Sequence, residues 1–204
     1  MDKLNIFTGL SGFFVEKNFF CAELCSTIQD EIKLAPKQLT KIFQDNYNSV
    51  VDEETRKSHI AEILEPTRCL VKSRLDALKQ KLEAHFQMVL TDYDEPSFLL
   101  YKQGDFFAPH KDRNTEENEP DIVKRRKVSV VIFLNNQKQT PTDNAYCGGA
   151  LTFYGLMRDS RAANYGFPLS GQTGLLVAFP SDIMHEVQPV TWGERYTIVT
   201  WFLE

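Results

Sequence analysis

Two short stretches hold the residues best placed to do chemistry. In the first, Tyr101-Lys102-Gln103-Gly104-Asp105-Phe106-Phe107-Ala108-Pro109-His110-Lys111-Asp112, a histidine and a carboxylate stand two apart in an apolar, aromatic run. Side chains alternate between the faces of a strand, so His110 and Asp112 share a face and can grip one metal ion. The Gly104-Asp105 break reads as a tight hairpin turn. Pairing Gln103 with Phe106 across it sets Tyr101 opposite Ala108, on the His110 face. Taken alone, the pair is as readily an ordinary solvated strand face. The second stretch tips that balance. The run Gly174–Pro180 leads to Met184-His185-Glu186-Val187 and then to Trp192-Gly193-Glu194-Arg195-Tyr196. With His185 the set becomes two imidazoles and one carboxylate, which suits ferrous iron held on one face with other positions open.

In this order and spacing, His110-Lys111-Asp112, Gly148-Gly149-Ala150-Leu151, His185 and Arg195 resemble the Fe(II)/2-oxoglutarate-dependent dioxygenases, in their prolyl 4-hydroxylase-like branch. The runs Arg126–Asn135 and Arg195–Trp201 are similar to that branch as well, and the resemblance covers roughly residues 97–203. It implies Fe(II) on His110, Asp112 and His185, with 2-oxoglutarate as co-substrate and ascorbate as a possible reductant. The implied reaction is oxidative decarboxylation to succinate and carbon dioxide, coupled to hydroxylation of an unactivated C–H bond. Relatives that halogenate lack the carboxylate ligand, so Asp112 favours a hydroxylase. Arg195 is expected to clamp the distal carboxylate of 2-oxoglutarate by a two-pronged contact. A strand arginine without that context reads as a surface ion pair. Facing His185 from ten positions on requires an odd-length loop through Val190–Gly193. The resemblance also places Tyr101 near the co-substrate. A second hydroxyl donor that some relatives carry is replaced here by Phe133, and Ser129 or Thr197 is expected to compensate. The implied substrate is a prolyl group of a peptide or protein. The same chemistry on a small molecule and a non-catalytic jelly-roll binding module are the alternatives.

Composition sets the outer limits. A chain of 204 residues, 42% hydrophobic and 25% charged with fifteen Phe, suits one compact domain with a ring-rich core. A net charge of −5 argues against a general nucleic-acid binder. The basic run Lys124-Arg125-Arg126-Lys127 is the local exception; it reads as a solvated strand start more readily than as an attractor for an acidic substrate. Cys21, Cys25, Cys69 and Cys147 lack the paired spacing of a zinc site, which leads us to expect reduced thiols and a cytoplasmic protein. No leader or membrane-spanning pattern stands out.

The elements that must position these residues fall in two blocks. Residues 1–95 read as a mainly helical buttress. Helices are expected over 16–32, 37–47, from Asp52 to a break at Pro66, and over 67–87 with Leu70, Val71, Leu75, Leu78, Leu82 and Phe86 inward. From Pro96 the period changes to that of strands, expected near 97–103, 106–112, 127–135, 149–154, 174–179, 183–189 and 194–203. Helices followed by many short strands give an α+β fold: a double-stranded β-helix (cupin-like jelly roll) with N-terminal helices packed on its major sheet. The acidic segment Arg113–Asp121, directly after the metal strand, is expected to be a mobile lid or a solvated loop.

Overall fold

In a computed structural model of the protein, the described residues are 7–9, 12–43, 48–115, 119–157 and 164–204. A seven-stranded sheet forms the frame, in the order β1 (Phe14–Glu16), β14 (Leu176–Pro180), β9 (Arg126–Phe133), β17 (Arg195–Leu203), β7 (Ser97–Tyr101), β6 (His59–Ala61) and β2 (Lys37–Leu39). All its pairs are antiparallel. Facing it is a five-stranded sheet ordered β13 (Phe167–Leu169), β12 (Leu151–Phe153), β15 (His185–Val187), β8 (Phe106–His110) and β5 (Arg56–Lys57). A smaller sheet of β10 (Asn136–Gln137), β11 (Ala145–Gly148) and β16 (Val190–Gly193) joins them, and β3 (Ile42–Phe43) pairs with β4 (Ser49–Val50). This is the expected double-stranded β-helix.

The major sheet is buried on both faces, and the alternation of its side chains sorts them into two cores. Val128, Val130, Ile132, Leu176, Ala178, Ile198 and Phe202 face outward, onto α1 (Ala22–Leu34) and α2 (Glu65–Phe86). The helices answer with Cys25, Ile28 and Ile32, and with Val71, Leu75, Leu78 and Leu82. Val131, Phe133, Val177, Phe179, Leu99 and Tyr101 point the other way, into the space between the sheets. The helices therefore back the sheet whose opposite face lines the site.

The buttress departs from expectation between residues 37 and 64. Where helices were expected over 37–47 and from Asp52 onward, the described residues form short strands and turns. Leu39 pairs with His59 and Ile60 with Leu99, which extends the major sheet by two strands. This long-range pairing overrides a short apolar period that a two-turn helix would satisfy only locally. Asp52 caps a turn instead of a helix, accepting from the Glu54 amide (3.0 Å) and the Thr55 hydroxyl (2.7 Å). Pro66 does not end a helix; it sits in the first turn of α2, where no amide donor is needed.

Candidate metal centre and anion clamp

His110 closes β8 and His185 opens β15, and the two are direct partners across this antiparallel pair. Asp112 follows two residues after His110. One donor atom from each of His110, Asp112 and His185 lies within 4.8 Å of the others, so the expected trio is brought together. Each imidazole uses Nδ1 on a backbone carbonyl two residues upstream: His110 on Ala108 (2.8 Å) and His185 on Ile183 (2.9 Å). A carbonyl only accepts, so each Nδ1 carries the hydrogen and each Nε2 presents a bare lone pair. Those Nε2 atoms lie 3.5 Å from Asp112 Oδ1 and 3.4 Å from Oδ2. The Phe107 ring stacks on His110 at 3.5 Å and fixes its plane.

Charge states favour a cation here. Burial pushes the Asp112 carboxyl up, but the adjoining imidazoles of His185 and His110 and the hydrogen bond from Ser129 outweigh it and hold it well below the usual range. Burial pushes His185 down to about 4 against the opposing pull of Asp112, so at neutral pH it is an uncharged donor. One carboxylate oxygen and two imidazole nitrogens on one side of an open cavity match the donor set of mononuclear ferrous sites. The residues present fit the metal.

The route by which the chain assembles this site differs from the hairpins expected. β7 and β8 belong to different sheets, so Tyr101 does not lie opposite Ala108. The turn between them carries the chain from the major to the minor sheet. Asp105 accepts from the Lys102 amide (2.9 Å), and the Gly104 amide reaches Val190 (2.8 Å). Likewise β15, β16 and β17 lie in three sheets, and His185 and Arg195 are not hairpin partners. They line one cavity of about 680 Å³ from opposite walls. Tyr101 still points inward, because its partner in the sheet is Arg195.

Arg195 is 1% exposed, and no carboxylate pairs with it among the described residues. Its Nη1 donates to the Thr197 hydroxyl at 3.3 Å, its guanidinium lies 5.0 Å from the Tyr101 ring centroid and 5.2 Å from that of Phe133, and Nε has no partner. Thr197 thus lies beside Arg195. The Ser129 hydroxyl donates to Asp112 Oδ2 (2.7 Å) and stands 2.9 Å from Ser181 Oγ. With its one hydrogen on the carboxylate, Ser129 is aimed at Asp112. Ser181, Phe107 and Tyr146 were not singled out from the sequence. Ser181 had a legible signal, an extra hydroxyl just beyond the Phe179-Pro180 strand end; the His110–Phe107 stack, three residues apart along a strand, had none.

Three residues of the basic run have carboxylate partners. Arg126 pairs with Asp94 (2.8 Å) and stacks on Trp201 (3.8 Å), Lys127 pairs with Glu204, and Lys124 with Asp121 (3.9 Å). Of the expected lid, Glu116 and Glu117 lie outside the described residues. Asn114 donates to Glu119 (3.1 Å), and Asp121 begins a short helix, α3 (Asp121–Arg125).

Comparison with known proteins agrees with this geometry. Among curated sequences, a PKHD-type hydroxylase of Shewanella oneidensis is 35% identical over 109 residues, covering 52% of this chain and 41% of its own length. A PKHD-type hydroxylase of Psychrobacter is 33% identical over 108 residues, 52% and 36% of the two lengths. The chain thus matches about two fifths of the length of these relatives. Among solved structures, a prolyl-4-hydroxylase of Pseudomonas putida shares the fold with TM-score 0.68 and 24% identity, over 95% of this chain and 92% of that one. A Trichoplax adhaerens prolyl hydroxylase, solved with a hypoxia inducible factor oxygen degradation domain peptide, gives TM-score 0.72 at 19% identity, over 99% and 87%. Residues 96–203, more than half of the chain and the whole of the site, match the 2OG-Fe(II) oxygenase superfamily, and the protein belongs to that family.

Proposed function

We propose that this protein is an Fe(II)- and 2-oxoglutarate-dependent dioxygenase that hydroxylates a prolyl group in a peptide or protein. The observation that carries the reading is Arg195. A guanidinium buried to 1% exposure without a carboxylate is costly unless an anion joins it, and it lines the same cavity as His110, Asp112 and His185. A ligand with a carboxylate at one end and metal-chelating oxygens at the other answers both needs. His110, Asp112 and His185 would hold the iron, and Arg195 with Thr197 and Tyr101 would orient the distal carboxylate. When bound, iron and 2-oxoglutarate would supply the means to reduce dioxygen, one of whose oxygen atoms ends in succinate as carbon dioxide is released and the other in the hydroxylated substrate. The chain's own part is to hold Asp112 ionised, keep both Nε2 atoms bare and wall the site with apolar rings that exclude water. The prolyl substrate is supported by the names of the relatives and structural neighbours. Ascorbate as reductant and a cytoplasmic setting belong to the same proposal; the setting is supported by four cysteines that are all free.

The test is succinate formation from 2-oxoglutarate with Fe(II), joined to a mass-spectrometric search for one added oxygen in a panel of proline-containing peptides. Asp112→Ala and Arg195→Ala should abolish turnover while leaving the circular dichroism spectrum unchanged. Wild-type protein that forms no succinate with any peptide or cell extract would leave a binding module as the better reading. Oxygen on a small molecule but no peptide would keep the chemistry and replace the substrate class.

A further inference from the structure

One buried polar group in the barrel has no use in the account so far. Tyr146, in β11, is 0% exposed, and its hydroxyl has no hydrogen-bond partner. It belongs to the core between the sheets with Tyr101, Phe133 and Val190. A buried hydroxyl left unpaired costs about 1–3 kcal/mol, so a phenol there instead of a phenylalanine needs a reason.

Its position relative to Arg195 supplies one. A side chain placed on Gly149 would meet Arg195 Cδ and Tyr146 Cε2, each at 3.2 Å, so the two side chains flank the same point. A Cβ on Gly171 would stand 2.2 Å from the Tyr146 hydroxyl oxygen and 2.6 Å from Phe133 Cδ1. The missing Cβ of Gly171 is therefore the space that lets the hydroxyl lie against the Phe133 ring, the ring that also borders the Arg195 guanidinium at 5.2 Å. Burial raises the phenol's pKa against the opposing pulls of Arg195 and the Gly171 backbone, both nearby but neither in hydrogen-bond geometry, which keeps it a protonated donor. Two adjacent buried groups, Arg195 Nε and Tyr146 Oη, thus both lack a partner.

We propose that the Tyr146 hydroxyl is a second donor, beside Arg195, to the distal carboxylate of the co-substrate, standing in for the hydroxyl that Phe133 lacks. This rests on the reading of the cavity as a 2-oxoglutarate site. Tyr146 is a positioning residue: it fixes the end of the ligand remote from the metal and touches no reacting atom.

The test is calorimetric binding of two ligands to Mn(II)-loaded protein. 2-Oxoglutarate carries the distal carboxylate, whereas 2-oxopentanoate has the same chain and metal-binding end without it. Tyr146→Phe should weaken 2-oxoglutarate binding by about tenfold or more, the usual scale for a hydrogen bond to a charged group, and leave 2-oxopentanoate unchanged. Metal-free Tyr146→Phe should melt no lower than the wild type, because the hydroxyl it removes is unpaired. Equal 2-oxoglutarate affinity in wild type and variant, equal losses for both ligands, or a lower melting temperature without a ligand-specific loss would overturn the assignment. If the wild type itself does not distinguish the two ligands, the 2-oxoglutarate reading of the cavity fails, and this inference with it.

Discussion

Ser129 shows what residue-scale geometry adds to a motif. The sequence offers it as a hydroxyl on an inward strand face and cannot say toward what, because the answer depends on Asp112, which lies just past the end of a strand in the opposite sheet. In the fold Ser129 donates to Asp112 Oδ2 and its oxygen lies 2.9 Å from Ser181 Oγ, and both serines are buried. This turns the ligand carboxylate toward the histidines, as outer partners of metal ligands commonly do. Ser129→Ala should therefore lower Mn(II) affinity by about 10–100-fold with the three ligands intact. Titration of Mn(II) into metal-free protein measures it, and an affinity equal to wild type would show that Asp112 needs no such support. The triad itself was legible because its chemistry is written in residue types and in an alternation that holds on any strand. Tyr146 was not, since nothing local marks a tyrosine as unpartnered.

Elements were legible where period alone decides, and illegible where a distant partner decides. α2, with its stripe of Val71, Leu75, Leu78 and Leu82, and the long strands β9 and β17 follow from spacing. The strands from β2 to β6 do not, because short segments take their conformation from what they pair with. The two expected hairpins failed for a related reason: in a double-stranded β-helix successive strands alternate between sheets, so a tight turn need not join sheet neighbours. Gly148 and Gly149 mark such a crossing, between β11 and β12. Both have positive φ, and a Cβ on Gly148 would stand 2.4 Å from the Pro189 carbonyl and 2.8 Å from the Thr191 amide, backbone atoms that cannot swing aside. Gly148→Ala should cost about 2 kcal/mol or more in denaturant unfolding, through strain at the corner instead of a lost contact. An unchanged midpoint would mean that the corner relaxes freely and does not set the position of β12.

At the scale of the whole molecule, the site lies between two sheets, and folding must bury the imidazole of His185 to 4% exposure. Burial holds that group near 4, whereas in the unfolded chain it titrates near its ordinary value of 6.5. Between those values the unfolded chain binds a proton that the folded protein does not. Stability therefore rises with pH across the window, is complete above about 6.5, and is lost as pH falls toward 4. The full span corresponds to about 3 kcal/mol, a large share of the stability of a domain this size. Metal-free protein should accordingly lose stability between pH 7 and pH 4 in urea titrations. His185→Asn, whose amide can still donate to the Ile183 carbonyl, should flatten that slope. Mn(II) binds only the folded state with bare imidazoles, so added metal should raise the wild-type melting temperature near neutral pH and progressively less toward pH 4. A slope that survives in His185→Asn would assign the acid sensitivity to other groups. A metal-induced rise that persists undiminished in His185→Asn would place the ion elsewhere in the protein.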